Sequence, residues 1–360
     1  MGQNTPHINL EKLPPLKEKV ETIEILRQTN KSTAALAELK GIAKTIPNQA
    51  MLINAIVLQE AKDSSEIENI ITTQDELYKA LNVNKSKISA ETKEVVNYRK
   101  AIFQGFEIAK SQGFLRVNDI IKLQQELVDN NAGIRATPGT VLKNETTGEV
   151  VYTPPQDKAE ILELLSNFII HFNENKDDLS PLINLAILHY QFESIHPFYD
   201  GNGRTGRILN ILYLIQNELI DIPILYLSSY IIKHKQEYYK LLNQTNHTGN
   251  WEEWILFMLK AVESTSKETI SKIINIKTLL DETILKVKTE APKIYRKELV
   301  ELLFEQPYSK IDYVVEKLNV ERKAASRYLK ELENIGILKS QKAGRETLYI
   351  NTELIEILKQ

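Results

Sequence analysis

Spacing is the feature of this chain that most constrains its fold: apolar residues return every three or four positions along most of its length. Leu182 to Ile195, Ile208 to Ile215 and Ile270 to Leu285 carry this period, which draws an apolar stripe along a helix and gives a strand nothing to alternate. Only 13 Gly and 12 Pro occur in 360 residues, so helices meet few interruptions. The expected fold class is mainly α, with strands few and short. A chain of this length with 42% apolar and 26% charged residues has material for two or three domains.

Charge and cysteine content narrow the function. A formal net charge of −3 argues against coating nucleic acid over the whole surface and leaves room only for a local basic patch. The chain has no cysteine, which excludes structural disulfides and cysteine-ligated zinc. Met1 to Pro6 has no basic-then-apolar leader, and Pro6 stands where a myristoylation pattern needs Ser or Thr. The apolar runs are too short to span a bilayer. The expectation is a cytoplasmic protein with no membrane partner.

The helical pattern breaks between Asn130 and Gln156, where Gly133, Pro138, Gly139, Gly148, Pro154 and Pro155 flank Thr140-Val141-Leu142 and Glu149-Val150-Val151-Tyr152. Two β-prone runs around Lys143 to Gly148 predict a hairpin protruding from a helical body. Ser180-Pro181 reads as an N-cap with proline in the first turn, opening a helix that ends at His196-Pro197. The next helix is expected to begin near Arg204.

The connection between these helices concentrates chemistry: His196-Pro197-Phe198-Tyr199-Asp200-Gly201-Asn202-Gly203-Arg204-Thr205-Gly206-Arg207. Two glycines permit close approach of a ligand to the backbone. At a helix start such a turn makes an anion nest, which the helix dipole, Arg204 and Arg207 reinforce, so phosphate is the expected guest. Asp200 offers a hard oxygen suited to Mg2+ shared with phosphates, and His196 a base for neutral pH. The bland alternative is a polar turn with solvated arginines, and it suits any one of these residues better than the whole set. Gly201 to Gly206 also fits the dinucleotide fingerprint, but the preceding segment is helical rather than a strand. The Walker pattern lacks its lysine. A zinc site from His189, Glu193 and His196 has no further ligand set, and packing suits His189 better.

His196 to Arg207 resembles the Fic signature H-P-F-x-D/E-G-N-G-R-x-x-R without a departure, and the likeness extends from about Thr5 to Lys260. The resemblance implies a helical core with a β-hairpin flap near 134–155 that aligns a target segment. It also implies transfer of AMP from ATP to a protein Ser, Thr or Tyr hydroxyl, with pyrophosphate released. Carried onto this chain, His196 is the base and Asp200 holds Mg2+. Gly201, Asn202 and Gly203 form the anion hole, Arg204 and Arg207 meet the outer phosphates, and Phe198 anchors the loop. Tyr230, Tyr238 and Tyr239 are candidates for the adenine walls, against the alternative of aromatic core.

Ser64, Glu68 and Asn69 resemble the family's inhibitory motif S/T-x-x-x-E-G/N, which implies that Glu68 pairs with Arg207 and denies it to the γ-phosphate. The competing reading is an exposed helical glutamate. In related enzymes the same carboxylate positions water to remove AMP. Homodimerisation and self-modification also follow from the resemblance.

Toward the C-terminus, helices over Arg296 to Phe304 and Ser309 to Leu318, a turn at Asn319-Val320, a third helix ending at Gly336 and a hairpin at Gly344 resemble a winged helix. Arg322, Lys323, Arg327, Lys330, Lys339, Lys342 and Arg345 supply basic charge for DNA phosphates, while Ala324, Ala325, Tyr328 and Leu329 suit equally a protein-binding winged helix. The expected organisation is an N-terminal helical region over 1–95, a catalytic core over 96–262, a helical linker over 263–291 and the winged helix over 292–360. A DNA-binding regulator with a nucleotide-sensing Fic-like domain is the competing function.

Overall fold

The computed structural model describes residues 10–82, 88–143, 148–174, 178–343 and 346–359. Met1 to Pro6, residues 144–147, Gly344 and Arg345 lie outside the described residues. As the spacing predicted, the chain is mostly helical with two small antiparallel sheets. It divides into two compact units that interleave along the sequence: residues 1–37, 63–70 and 97–266, and residues 38–62, 71–96 and 267–360. Among the described residues no helix is long and apolar enough to cross a membrane.

The first unit is organised around α8 (Pro181–Ile195), in which every residue from Leu182 to Ile195 is buried. A helix apolar on all sides must be wrapped, and α7 (Lys158–Asn173) and α9 (Asn202–Gln216) pack against it. Some of its buried polar groups find partners: Asn184 donates to the Tyr213 hydroxyl at 3.1 Å, and Trp254 Nε1 donates to the Ala186 carbonyl at 2.8 Å. Ser180 precedes α8 but makes no side-chain capping bond, so Pro181 alone marks the start. α6 (Val117–Val128) packs on both α7 and α9. The flap is a short hairpin in which β1 (Leu142–Lys143) pairs with β2 (Val150–Tyr152). Tyr152 pins β2 to the core by donating to the Ser194 carbonyl at 3.0 Å.

Residues 263–290 of the expected helical linker lie in one helix, α12 (Glu252–Glu290), of 39 residues. No Gly or Pro interrupts it before Ala291-Pro292, and Ile273, Ile276, Leu280 and Val287 are buried rather than solvated.

In the second unit the order is α13 (Lys297–Glu305), β3 (Tyr308–Ser309), α14 (Ile311–Leu318), α15 (Arg322–Asn334), β4 (Lys339–Ala343) and β5 (Glu346–Ile350), with strand order β3-β5-β4. Asn319, in the left-handed region at φ 49°, turns α14 into α15. A further helix, α16 (Thr352–Lys359), is absent from the sequence reading; it buries Leu354, Ile355 and Leu358. The segment 71–96 joins this unit through α4 (Gln74–Asn82), which meets β3. There Tyr78 stacks on Tyr308 at 5.0 Å between centroids, and the Tyr308 hydroxyl donates to Asp75 at 2.8 Å. Removing this ring is expected to cost about 3 kcal/mol of packing, so Tyr308→Ala should lower the urea midpoint of the second unit, followed by near-UV circular dichroism.

Candidate active site

The site forms where α8 hands over to α9. α8 stops because His196 turns left-handed (φ 48°, ψ 59°) while its N–H still bonds the Phe192 carbonyl at 3.1 Å. A non-glycine residue in that region costs of order 1 kcal/mol, so the surrounding structure must hold it. Phe198, fully buried, sinks the loop into the core beside Phe192. Asn202 staples it: its Oδ1 accepts from the Phe198 N–H and its Nδ2 donates to the Phe198 carbonyl, both at 2.8 Å. That pairing commits the side-chain amide of Asn202 to the loop. Gln124 of α6 donates to the Asp200 carbonyl at 3.0 Å. Gly201 has φ 77°, and a Cβ there would stand 2.8 Å from Val128 Cγ1, so both backbone angle and space demand glycine.

Because Gly201 makes the turn alone, α9 starts at Asn202 rather than near Arg204. The first N–H to bond within the helix is that of Thr205, to the Gly201 carbonyl at 2.9 Å. The N–H groups of Asn202 and Gly203 therefore stand at the positive end of the helix, where an anion is favoured.

Both signature arginines are buried, Arg204 at 1% and Arg207 at 3% exposure. One carboxylate serves both: Glu68 Oε2 accepts from Arg204 Nε and Glu68 Oε1 from Arg207 Nη2, each at 2.8 Å. Pairing with Arg204 is absent from the sequence reading. Ser64 adds its hydroxyl to Arg207 Nε at 2.7 Å and its carbonyl to Arg207 Nη2 at 2.9 Å. The spacing of Ser64, Glu68 and Asn69 thus has a local cause. Ser64 and Glu68 lie one turn apart at the end of α3 (Gln49–Ile67), and Asn69 at φ 62° ends the helix there, with Ile70 N–H bonding the Ser65 carbonyl at 3.0 Å. Gly203 makes the pairing sterically feasible, since a Cβ would lie 2.6 Å from Glu68 Oε1. Burial works against the Arg207 charge, but Glu68 more than restores it and leaves the pKa above its ordinary value.

His196 is pushed down to about 4, first by burial and then by the charge of Arg135. It is neutral at pH 7 and able to accept a proton. His189 is held neutral by burial, pushed down to about 3, and packs as a core residue: Nε2 shares a hydrogen bond with the Tyr238 hydroxyl at 2.9 Å and Nδ1 lies 3.1 Å from Asn210 Nδ2. Among the described residues no cluster of three or more metal-ligating side chains occurs. Asp200 is exposed, with Oδ1 accepting from Gly201 N–H at 2.6 Å and lying 3.3 Å from Arg204 Nη2. A single exposed carboxylate beside a phosphate nest fits Mg2+, which keeps most of its water and shares phosphate oxygens.

The three tyrosines separate. Tyr238, 1% exposed, belongs to the aromatic core with Trp254 and Phe257 and cannot wall a nucleotide. Tyr230 is half-buried against His234, and Tyr239 is 44% exposed, edge-on to Tyr238.

Sequence reasoning missed Gln124, Arg135 and Tyr199 as builders of the loop, because each acts across 61 to 76 positions of sequence. It also passed over the acidity of Glu193, a buried carboxyl beside Gly206 that burial pushes up to about 7. With the folded pKa above the unfolded one, Glu193 stabilises the fold at low pH, and that stability is lost as pH rises from 4.5 through 7. Glu193→Gln should therefore gain on the order of 2 kcal/mol relative to wild type between pH 5 and pH 8 in urea unfolding. An equal difference at both pH values would contradict this.

Comparison with known proteins places these elements. The family model "Fic/DOC family N-terminal" matches residues 26–107, "Fic/DOC family" matches 114–214, and "Protein adenylyltransferase SoFic-like, C-terminal domain" matches 279–354. Protein adenylyltransferase Fic of Nematostella vectensis is 26% identical over 152 residues, 42% of this chain and 33% of that protein. Protein adenylyltransferase fic-1 of Caenorhabditis briggsae is 27% identical over 161 residues, 43% of this chain and 29% of that one. The chain thus spans about a third of the length of the curated relatives it matches. Among solved structures, a Fic family protein from Desulfovibrio desulfuricans G20 superposes with TM-score 0.59 at 17% identity over 94% of this chain and 98% of that one, a likeness of fold. With its signature loop folded between α8 and α9 and family matches running from residue 26 to residue 354, the chain belongs to the Fic/DOC family.

Proposed function

We propose that this protein transfers AMP from ATP to a Ser, Thr or Tyr hydroxyl of a protein, releases pyrophosphate, and carries Glu68 as a built-in brake. The observation that carries the reading is the single carboxylate held between Arg204 and Arg207 at the N-terminus of α9. Two buried guanidinium groups require an anion, and the outer phosphates of ATP are the natural competitor of Glu68 for that place.

In the transfer, neutral His196 takes the proton of the target hydroxyl as its oxygen bonds the α-phosphorus, and the bond to pyrophosphate breaks. The N–H groups of Asn202 and Gly203 receive phosphate oxygens, while Arg204 and Arg207 hold the outer phosphates and the charge that leaves with them. Asp200 would hold Mg2+, which would supply charge to neutralise the phosphates. Tyr230 and Tyr239 remain candidates for the adenine walls. The flap near 134–155 would align the target chain. Glu68 could in turn orient water for the reverse removal of AMP. A cytoplasmic setting, a homodimer and self-modification complete the reading.

A second reading concerns the C-terminal element, taken as a winged helix that contacts duplex DNA. Lys323, Arg327 and Lys330 fall at i, i+4 and i+7 on α15, all exposed, and exposed Lys339 and Lys342 lie on β4. Glu333, which would oppose them, accepts from the Ser340 N–H at 2.9 Å. Arg322 is engaged by Asp312 and does not join the stripe. A regulator that only senses nucleotide would need neither His196 nor Asp200, so the enzyme reading is preferred with this face as an accessory.

ATP labelled at the α-phosphate should label protein, at least about tenfold more in Glu68→Gly and not at all in His196→Ala, as read by autoradiography and mass spectrometry. Transfer of γ-label instead would overturn AMP transfer, and no gain in Glu68→Gly would remove the brake. For the basic face, duplex binding by fluorescence anisotropy should weaken steeply from about 50 to 200 mM salt and disappear in the combined Lys323→Ala, Arg327→Ala, Lys330→Ala variant. Absence of binding at the lower salt would reject the DNA contact.

A further inference from the structure

His196 closes α8, where the helix leaves carbonyls unpaired and its dipole negative. A buried guanidinium meets that end. Arg135, 1% exposed, donates from Nε to the His196 carbonyl at 2.7 Å and from Nη2 to the Ile195 carbonyl at 3.3 Å. Nη2 also donates to the Pro155 carbonyl. The backbone N–H of Arg135 bonds the Pro197 carbonyl at 3.0 Å, and Ile134 forms an antiparallel bridge with Phe198. Arg135 and Pro155 stand at the two ends of the flap segment, so one side chain closes the neck of the flap and grips the backbone of the base. Beside it Tyr199 accepts from the Ala136 N–H at 2.9 Å, a second tie between loop and flap.

From this arrangement we infer that Arg135 is a positioning residue that clamps the neck of the flap to the end of α8, and so fixes His196 relative to the segment presenting the target hydroxyl. The inference rests on the AMP-transfer reading for the role of the flap, but the clamp itself does not. Arginine is the residue this needs: a planar fork can bridge three carbonyls, whereas the ammonium of lysine is a point charge. The charge has a second effect on the same base. The charged groups acting on His196 are Arg135, which favours the neutral imidazole, and Glu68, which opposes it.

The test uses Arg135→Gln and Arg135→Lys in the full chain carrying Glu68→Gly, with thermal unfolding as a fold control. Arg135→Gln is expected to lower kcat by about tenfold or more while the Kd for a non-hydrolysable ATP analogue stays within about twofold. In the same variant the imidazole of His196, followed by NMR titration, should move up toward the ordinary histidine range. Arg135→Lys keeps the charge, so it should leave that titration in place and recover part of kcat. A kcat within about twofold of the parent, nucleotide affinity falling in parallel with kcat, or an unmoved His196 titration in Arg135→Gln would each overturn the proposal. If Arg135→Gln fails to fold, Arg135→Lys decides: full activity overturns the clamp, and a loss in kcat alone supports it. If the Glu68→Gly parent transfers no AMP, the AMP reading falls, and the titration of His196 still judges Arg135.

Discussion

Two positive charges buried at the start of α9 set the terms for everything around them. Arg204 and Arg207 point into the protein beside a helix end that is itself positive, so an anion has to be present for that arrangement to be stable. Glu68 fills the place from the end of α3, and Ser64 accepts from Nε and Nη2 of Arg207. In this way the two buried guanidinium groups are held by a carboxylate of the chain itself. Removing Glu68 takes away the carboxylate that two buried cations share, a deficit that an anion of suitable shape would relieve. The proposed brake and the proposed phosphate site would be two outcomes of one electrostatic requirement.

The loop in front of these arginines is held by contacts that use up its own polar atoms. Asn202 spends its amide on Phe198, Gln124 secures the Asp200 carbonyl, and Arg135 secures the carbonyls of Ile195 and His196. Each contact restrains backbone, which fits a reaction that depends on position and charge rather than on covalent participation by the protein. His196 gains a defined state from the same surroundings, since burial and Arg135 keep its imidazole neutral.

Several parts of this were legible in the sequence because their causes are local. Helical periodicity announced α8 and α9, and Pro197 and the paired glycines marked the break between them. The sequence Ser64, Glu68, Asn69 is intelligible as one helical turn and its left-handed cap. Other parts had no local cause to read. Tyr238 looked like any tyrosine of α11 (Lys235–Thr248), yet it is core because His189, Trp254 and Phe257 surround it. The segment over 263–291 was legible as helical, but nothing in it showed that Ile273, Ile276 and Leu280 would be buried.

What the sequence determined by itself was the inventory: mainly helical structure from apolar spacing, a glycine-bearing turn in Asp200-Gly201-Asn202-Gly203, and a histidine, a carboxylate and two arginines within one short connection. Those depend on backbone angles and side-chain chemistry within a few residues. Tertiary structure alone decided which of those groups are paired. It joined Glu68 to Arg204 as well as Arg207 and brought Arg135 to the His196 carbonyl. These pairings span tens of residues and follow from how helices pack in space, and burial then sets the strength and protonation of each group.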